Sequence, residues 1–231
     1  MKKLLTMTTA AAGLAVLMAG PAMALPLTGT FVFGVVHGTN PASPTKASTD
    51  QAVQALPSAL MGPNGLQNQT SGFTTYTGPI NFTSPSGDAS INAFFKSGNG
   101  LTPTFSPTPS FGATTLSTGN FADGTLISFT FSLPSETKGL ITHDDGISIY
   151  QGLTKKLDSS APTNAFDPGG QTSFTLQAGT YTLYYSEVNG LPATLNFNIT
   201  SAATVPEPLS MALLGTGLLG LGLVRRRTDH A

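Results

Sequence analysis

The sequence predicts an all-β fold, an antiparallel β-sandwich, flanked by an N-terminal signal-peptide helix and a C-terminal hydrophobic helix. Three observations carry this expectation. Segments of strict apolar–polar alternation recur between about Phe73 and Thr200, the period of strands with one buried face. Only 9% of residues are charged, while Ser, Thr, Asn, Gly and Pro abound, which suits strands joined by turn-rich connections. Both ends of the chain carry apolar runs bordered by basic residues.

The first element is the N-terminal run. Lys2 and Lys3 precede an apolar stretch over residues 4–20, and Ala22-Met23-Ala24 supplies a small-residue cleavage site. This is the plan of a secretory signal peptide over residues 1–24, cut between Ala24 and Leu25. The alternative is a retained anchor, against which stand the Ala- and Thr-rich run and its Gly20-Pro21 break. Residues 25–205 then form one exported domain, with its sandwich core over about residues 73–200.

Within that domain, residues 30–36 read as a strand at the sandwich edge. Residues 40–50 are a Pro/Ser/Thr-rich loop, and residues 50–60 a short helix N-capped by Asp50. The prolines of residues 98–112 mark a loop or insertion. Four alternating segments follow: Ile127, Phe129, Phe131 and Leu133; Phe174 and Leu176; Tyr181, Leu183 and Tyr185; Leu195, Phe197 and Ile199. Each set should face the core, leaving Tyr184 as an exposed aromatic on the opposite side. Ala178-Gly179 reads as a tight connection between two strands.

Composition narrows function. Residues 25–205 hold five lysines (Lys46, Lys96, Lys138, Lys155, Lys156), no arginine and nine carboxylates. No basic patch exists to neutralise phosphates, so nucleic acid is not an expected partner. The chain has no cysteine, so the exported domain is held by its core or by bound metal rather than disulfides. It also has no tryptophan, a residue well suited to stacking on sugar rings. No nucleophile elbow or phosphate-binding glycine loop is visible, and an enzyme is not expected.

The tail, residues 206–231, has three parts in fixed order: Pro206-Glu207-Pro208, an uncharged run over residues 209–224, and Arg225-Arg226-Arg227. Its sixteen residues make roughly 24 Å of helix, enough to enter a bilayer with local thinning and snorkelling arginines. The arginines keep their end cytoplasmic. A core helix of a soluble domain is the alternative. The order and spacing resemble the PEP-CTERM sorting signal of exported bacterial proteins. That resemblance implies recognition by an exosortase-type transpeptidase, membrane anchoring through residues 209–224, and processing that leaves the protein at the cell surface or in the extracellular matrix.

One motif in the domain carries chemistry: His143-Asp144-Asp145-Gly146, at a strand junction. Two adjacent carboxylates before a glycine suit a hard, oxygen-seeking cation. They also suit a plain hairpin turn, since Asp-Gly is a strong turn signal. Catalysis is the remote third reading, because it needs one proton shared between the pair inside a cleft. His143 reads as a surface residue, since calcium selects oxygen over nitrogen.

The stretch from Leu140 through Gly152, with residues 174–199, resembles the second half of a protective-antigen-type β-sandwich, a domain of adhesins and carbohydrate-binding modules. Residues 76–82 and 89–100 resemble its opening strands. The resemblance implies that Asp144 and Asp145, joined by a cis peptide, hold Ca²⁺ that also coordinates sugar hydroxyls. Asn189 would contribute from a later loop, with Glu187 as the alternative. The expected function is that of an exported surface or matrix protein with an adhesion or polysaccharide-binding module. A structural matrix protein without a specific ligand is the competing class, and a secreted hydrolase a remote one.

Overall fold

The computed structural model describes residues 24–39, 55, 65–84, 90–106, 109–118, 122–160, 170–188 and 190–200. Among the described residues twelve strands form two antiparallel sheets, so the all-β sandwich expectation holds. The strands are β1 (Ala24–Pro26), β2 (Thr28–Thr39), β3 (Gln67–Pro79), β4 (Asn81–Thr83), β5 (Thr104–Ser106) and β6 (Asp123–Leu133). They continue as β7 (Thr137–Asp144), β8 (Gly146–Gln151), β9 (Thr154–Ser159), β10 (Gln171–Leu176), β11 (Gly179–Glu187) and β12 (Thr194–Thr200). One sheet runs β5-β3-β2-β6-β11-β8-β9, the other β1-β12-β7-β10 with β4 also on β12. The described residues all belong to one compact unit, Met23–Ala202.

The alternating sets predicted for the core do face inward. Ile127, Phe129, Phe131 and Leu133 are buried, as are Phe174, Leu176, Tyr181, Leu183, Tyr185, Leu195 and Phe197. Ile199 is half-buried and packs against them. Phe197 of one sheet meets Phe131 of the other edge-on, with ring centroids 5.1 Å apart. Such side chains contribute roughly 1.5–3 kcal/mol each on burial. The helix α1 (Ile91–Lys96) adds Phe94 and Phe95 to the same core. Ser90 caps it, its Oγ accepting from the Ala93 amide at 3.1 Å.

Residues 30–36 depart from expectation. They belong to β2, which pairs with β3 on one side and β6 on the other, so the segment lies mid-sheet rather than at an edge. The reason is legible in its side chains: Phe31, Phe33 and Val35 are all buried, and Phe33 packs on Phe129 at 4.8 Å. Among the described residues of the stretch expected as a loop or insertion, Thr104–Ser106 form β5 and Pro109–Ala113 a 3-10 turn. The Ala178-Gly179 connection joins β10 of one sheet to β11 of the other, not two strands of a hairpin. The expected helix over residues 50–60 lies outside the described residues apart from Ala55. So do the signal peptide short of Ala24 and the tail over residues 206–231. Among the described residues no helix is long and apolar enough to cross a membrane.

Candidate functional site

Asp144 ends β7 and Gly146 begins β8, and these strands belong to different sheets. Asp144 and Asp145 therefore sit where the chain crosses the sandwich, not in a hairpin turn. Neither Asp145 nor Gly146 adopts the left-handed backbone that a tight Asp-Gly hairpin uses. The peptide bond between the two aspartates is cis, as the resemblance implied.

Position follows from register. His143 and Asp144 of β7 lie opposite Leu195 and Thr194 of β12. Gly146 of β8 lies opposite Ser186 of β11, and the Asp145 amide donates to the Ser186 carbonyl at 3.2 Å. The crossing thus draws the end of β11, with Glu187 and Val188, against the aspartates. The Val188 amide donates to Asp145 Oδ2 at 2.8 Å, holding that carboxylate in place. Asp144 is 7% exposed and Asp145 2% exposed, unusually low for carboxylates.

His143 is fully buried, which corrects its reading as a surface residue. Its Nδ1 lies 2.5 Å from the Asp145 carbonyl and its Nε2 2.8 Å from Thr172 Oγ1. A carbonyl only accepts, so Nδ1 carries the proton and donates. Burial holds the imidazole below its ordinary pKa, opposed by the bond to Asp145. The neutral ring then accepts from Thr172 at Nε2, and it ties the crossing to β10.

Glu187 and Tyr185 form the inner wall. Ser117 Oγ donates to Glu187 Oε1 at 2.9 Å, and the Gly190 amide donates to Ser117 Oγ at 2.8 Å. Tyr185 Oη reaches both the Asp144 carbonyl and, at 3.0 Å, Glu187 Oε2. A phenol has one proton, so both contacts are satisfied together when Glu187 is protonated. Burial, then the charges of Asp145 and Asp144, push the Glu187 carboxyl well above its usual range. Burial, joined by the charges of Asp145 and Asp144, raises the Tyr185 phenol likewise.

The donor chemistry here is oxygen: two side-by-side carboxylates with a neutral carboxyl and a phenol behind them. Such a set fits a hard cation such as calcium and suits zinc or copper poorly. Among the described residues no group of three or more His, Cys, Asp or Glu is arranged to hold a metal. Asp144 and Asp145 by themselves would leave most of a calcium ion's roughly six to eight oxygen positions to other groups. Asn189 lies outside the described residues, though its neighbours Val188 and Gly190 are both anchored at this site. Glu187, the alternative ligand, is turned toward Ser117 and Tyr185. Sequence reading missed Ser117 and Thr172, because isolated hydroxyls far along the chain carry no signal of where they pack.

The described residues form a β-sandwich with a carboxylate crossing between its two sheets. Residues 204–227 match the PEP-CTERM protein-sorting motif, which marks an exported protein sorted by an exosortase. No curated protein matches the chain. Among solved structures, the chain is similar to a PA14 sugar-binding domain from an RTX adhesin, at 16% identity over 74% of this chain and 89% of that one, with a TM-score of 0.44. It is also similar to the PA14 domain of the MpAFP antifreeze protein, at 16% identity over 77% and 86% of the two chains, with a TM-score of 0.43.

Proposed function

We propose that the protein works outside the cytoplasm as a non-catalytic adhesion module that binds polysaccharide with the help of Ca²⁺. Asp144 and Asp145 hold the cation, Asn189 contributes from the adjoining loop, and the open part of the shell accepts sugar hydroxyls. The tail, with Pro206, Glu207 and Pro208 ahead of the apolar run and Arg225, Arg226 and Arg227 behind it, anchors the chain until it is processed to the surface or matrix. The observation that carries this reading is the paired carboxylate crossing, pinned by His143, Val188 and Tyr185. Rigid first ligands bind a cation without a further ordering cost.

Thermal unfolding with and without calcium tests the proposal. Extracellular sites bind with Kd of about 10⁻⁴–10⁻³ M. At about 10 mM Ca²⁺, linkage then stabilises the native state by roughly 1.4–2.7 kcal/mol, a rise of about 3–10 °C in Tm. Asp145→Asn should lose the rise. An unchanged Tm in the wild type at that concentration would sink the metal, and with it the sugar-coordinating shell.

A further inference from the structure

One cross-strand row on the outer face of the seven-stranded sheet pairs small residues with aromatic ones. Phe73 of β3 lies opposite Gly34 of β2, Gly34 opposite Ser128 of β6, and Ser128 opposite Tyr184 of β11. Glycine and serine thus sit between two rings. Three inter-strand steps of about 4.8 Å place the backbone positions of Phe73 and Tyr184 about 14 Å apart. Phe73 is 49% exposed, while Tyr184 is half-buried and meets Tyr150 edge-on at 5.7 Å. Gly34 and Ser128 also belong to an open trough of about 370 Å³, lined besides by Thr30, Val32, Thr130 and Thr182 with the buried Phe31 and Phe129 between them; Phe73 and Tyr184 flank it along the row and are not part of its lining. A Cβ on Gly34 would lie 3.1 Å from Ser128 Oγ, so the floor depends on its lacking a side chain.

The chemistry of the lining selects its occupant. None of these side chains ionises, so a charged ligand would lose hydration and find no counter-charge. Hydroxyls line it in cross-strand pairs, with Thr130 and Thr182 oxygens 3.4 Å apart and Thr30 bonded to Thr77 at 2.9 Å. A purely apolar ligand would strand those hydroxyls. A neutral polyhydroxylated chain satisfies both kinds of surface: a ring face lies on the exposed Val32, hydroxyls meet Thr and Ser, and a chain that runs on past the trough reaches the exposed Phe73 on its flank. The trough is open rather than enclosing, which suits a polymer and not a small molecule held in a pocket.

We infer that this trough is a second glycan site that binds a neutral polysaccharide chain without a cation. The site shares its ligand class with the proposed function but neither its residues nor its metal. The test is co-sedimentation of the full-length protein, exported and purified in mild detergent, with swollen cellulose, chitin and insoluble mannan, all in EDTA. The chelator silences the carboxylate crossing, so the two proposals fail separately. The wild type should sediment with at least one of the three. Gly34→Leu, which fills the floor, and Thr130→Glu, which places a charge at an exposed position in the trough, should each weaken that binding at least ten-fold. Asp145→Asn should leave it within two-fold. Unchanged circular dichroism guards against misfolding, and the exposed Thr130 site serves if Gly34→Leu does not fold. Binding to none of the three would overturn the inference, as would binding that both trough variants retain. Self-association abolished by Gly34→Leu would overturn it too, by assigning the face to a second copy of the chain.

Discussion

Phe197→Ala probes the contact on which the sandwich depends. The ring is fully buried on β12 and stands edge-on to Phe131 and to Phe174, each at 5.1 Å. Phe131 comes from the opposite sheet and Phe174 from the same one. Truncation therefore removes the burial of one ring, opens a cavity between the sheets, and deletes two aromatic pairs. Deleting a buried Phe costs about 3–5 kcal/mol, and each aromatic pair about 0.5–1.5 kcal/mol beyond area, part of which that range already contains. An expected loss of about 4–5 kcal/mol consumes much of a typical domain's 5–15 kcal/mol. Urea unfolding followed by circular dichroism measures it. With m of about 2 kcal/mol/M, the midpoint should fall by about 2 M with little change in slope. Ser128→Ala, on the outer face of β6, is the control and should move stability by only about 0.5 kcal/mol. If the serine change proves as damaging as the phenylalanine change, the register assigned to these strands is wrong.

Other expectations follow from single residues. Among the described residues Asn196 Oδ1 is buried without a hydrogen-bond partner, so Asn196→Ala should be neutral or slightly stabilising in the same urea assay, and a loss above about 1 kcal/mol would reveal a bond to that oxygen. Glu187 has a folded pKa raised well above 4.5, so its native form holds a proton that the unfolded chain releases. Its contribution is fully present below about pH 4.5 and is lost as pH rises toward the folded value. In chelator, Glu187→Gln should remove that part of the decline, and identical pH–stability curves for the two proteins would contradict a buried neutral carboxyl. Mass spectrometry of the surface-located protein should find the mature chain starting at Leu25 and lacking Arg225–Arg227, whereas an intact arginine cluster there would rule out processing.

The strands were legible wherever one face is buried and the other wet. In β6, Phe129 and Phe131 alternate with Ser128 and Thr130, and the pattern alone orients each side chain. It does not say which strands become neighbours. β2 shows the limit: its alternation predicts a strand, but its central place follows from Phe33 meeting Phe129 and Phe82, contacts set by tertiary packing. The Asp144-Asp145 pair was visible as chemistry but not as topology. An Asp-Gly step reads as a hairpin, and only the sheet order reveals a crossing between layers. His143 was misread for the same reason: its burial comes from Thr172 and the Asp145 carbonyl, both brought to it by the fold. Tyr184 was read as outward-facing, and it does lie opposite the core face, half-covered by a small cluster of Leu66, Leu126 and Val188.

The paired carboxylate crossing is the centre of this account, and isothermal titration with calcium tests it most directly. Wild-type protein, stripped with chelator and titrated with millimolar Ca²⁺, should bind one ion with Kd of about 10⁻⁴–10⁻³ M. Asp144→Asn and Asp145→Asn should each weaken binding about ten-fold or more, because each removes half of the charge that draws the cation. No heat from the wild type, or equal binding by all three proteins, would contradict the assignment of Asp144 and Asp145 as the cation's ligands.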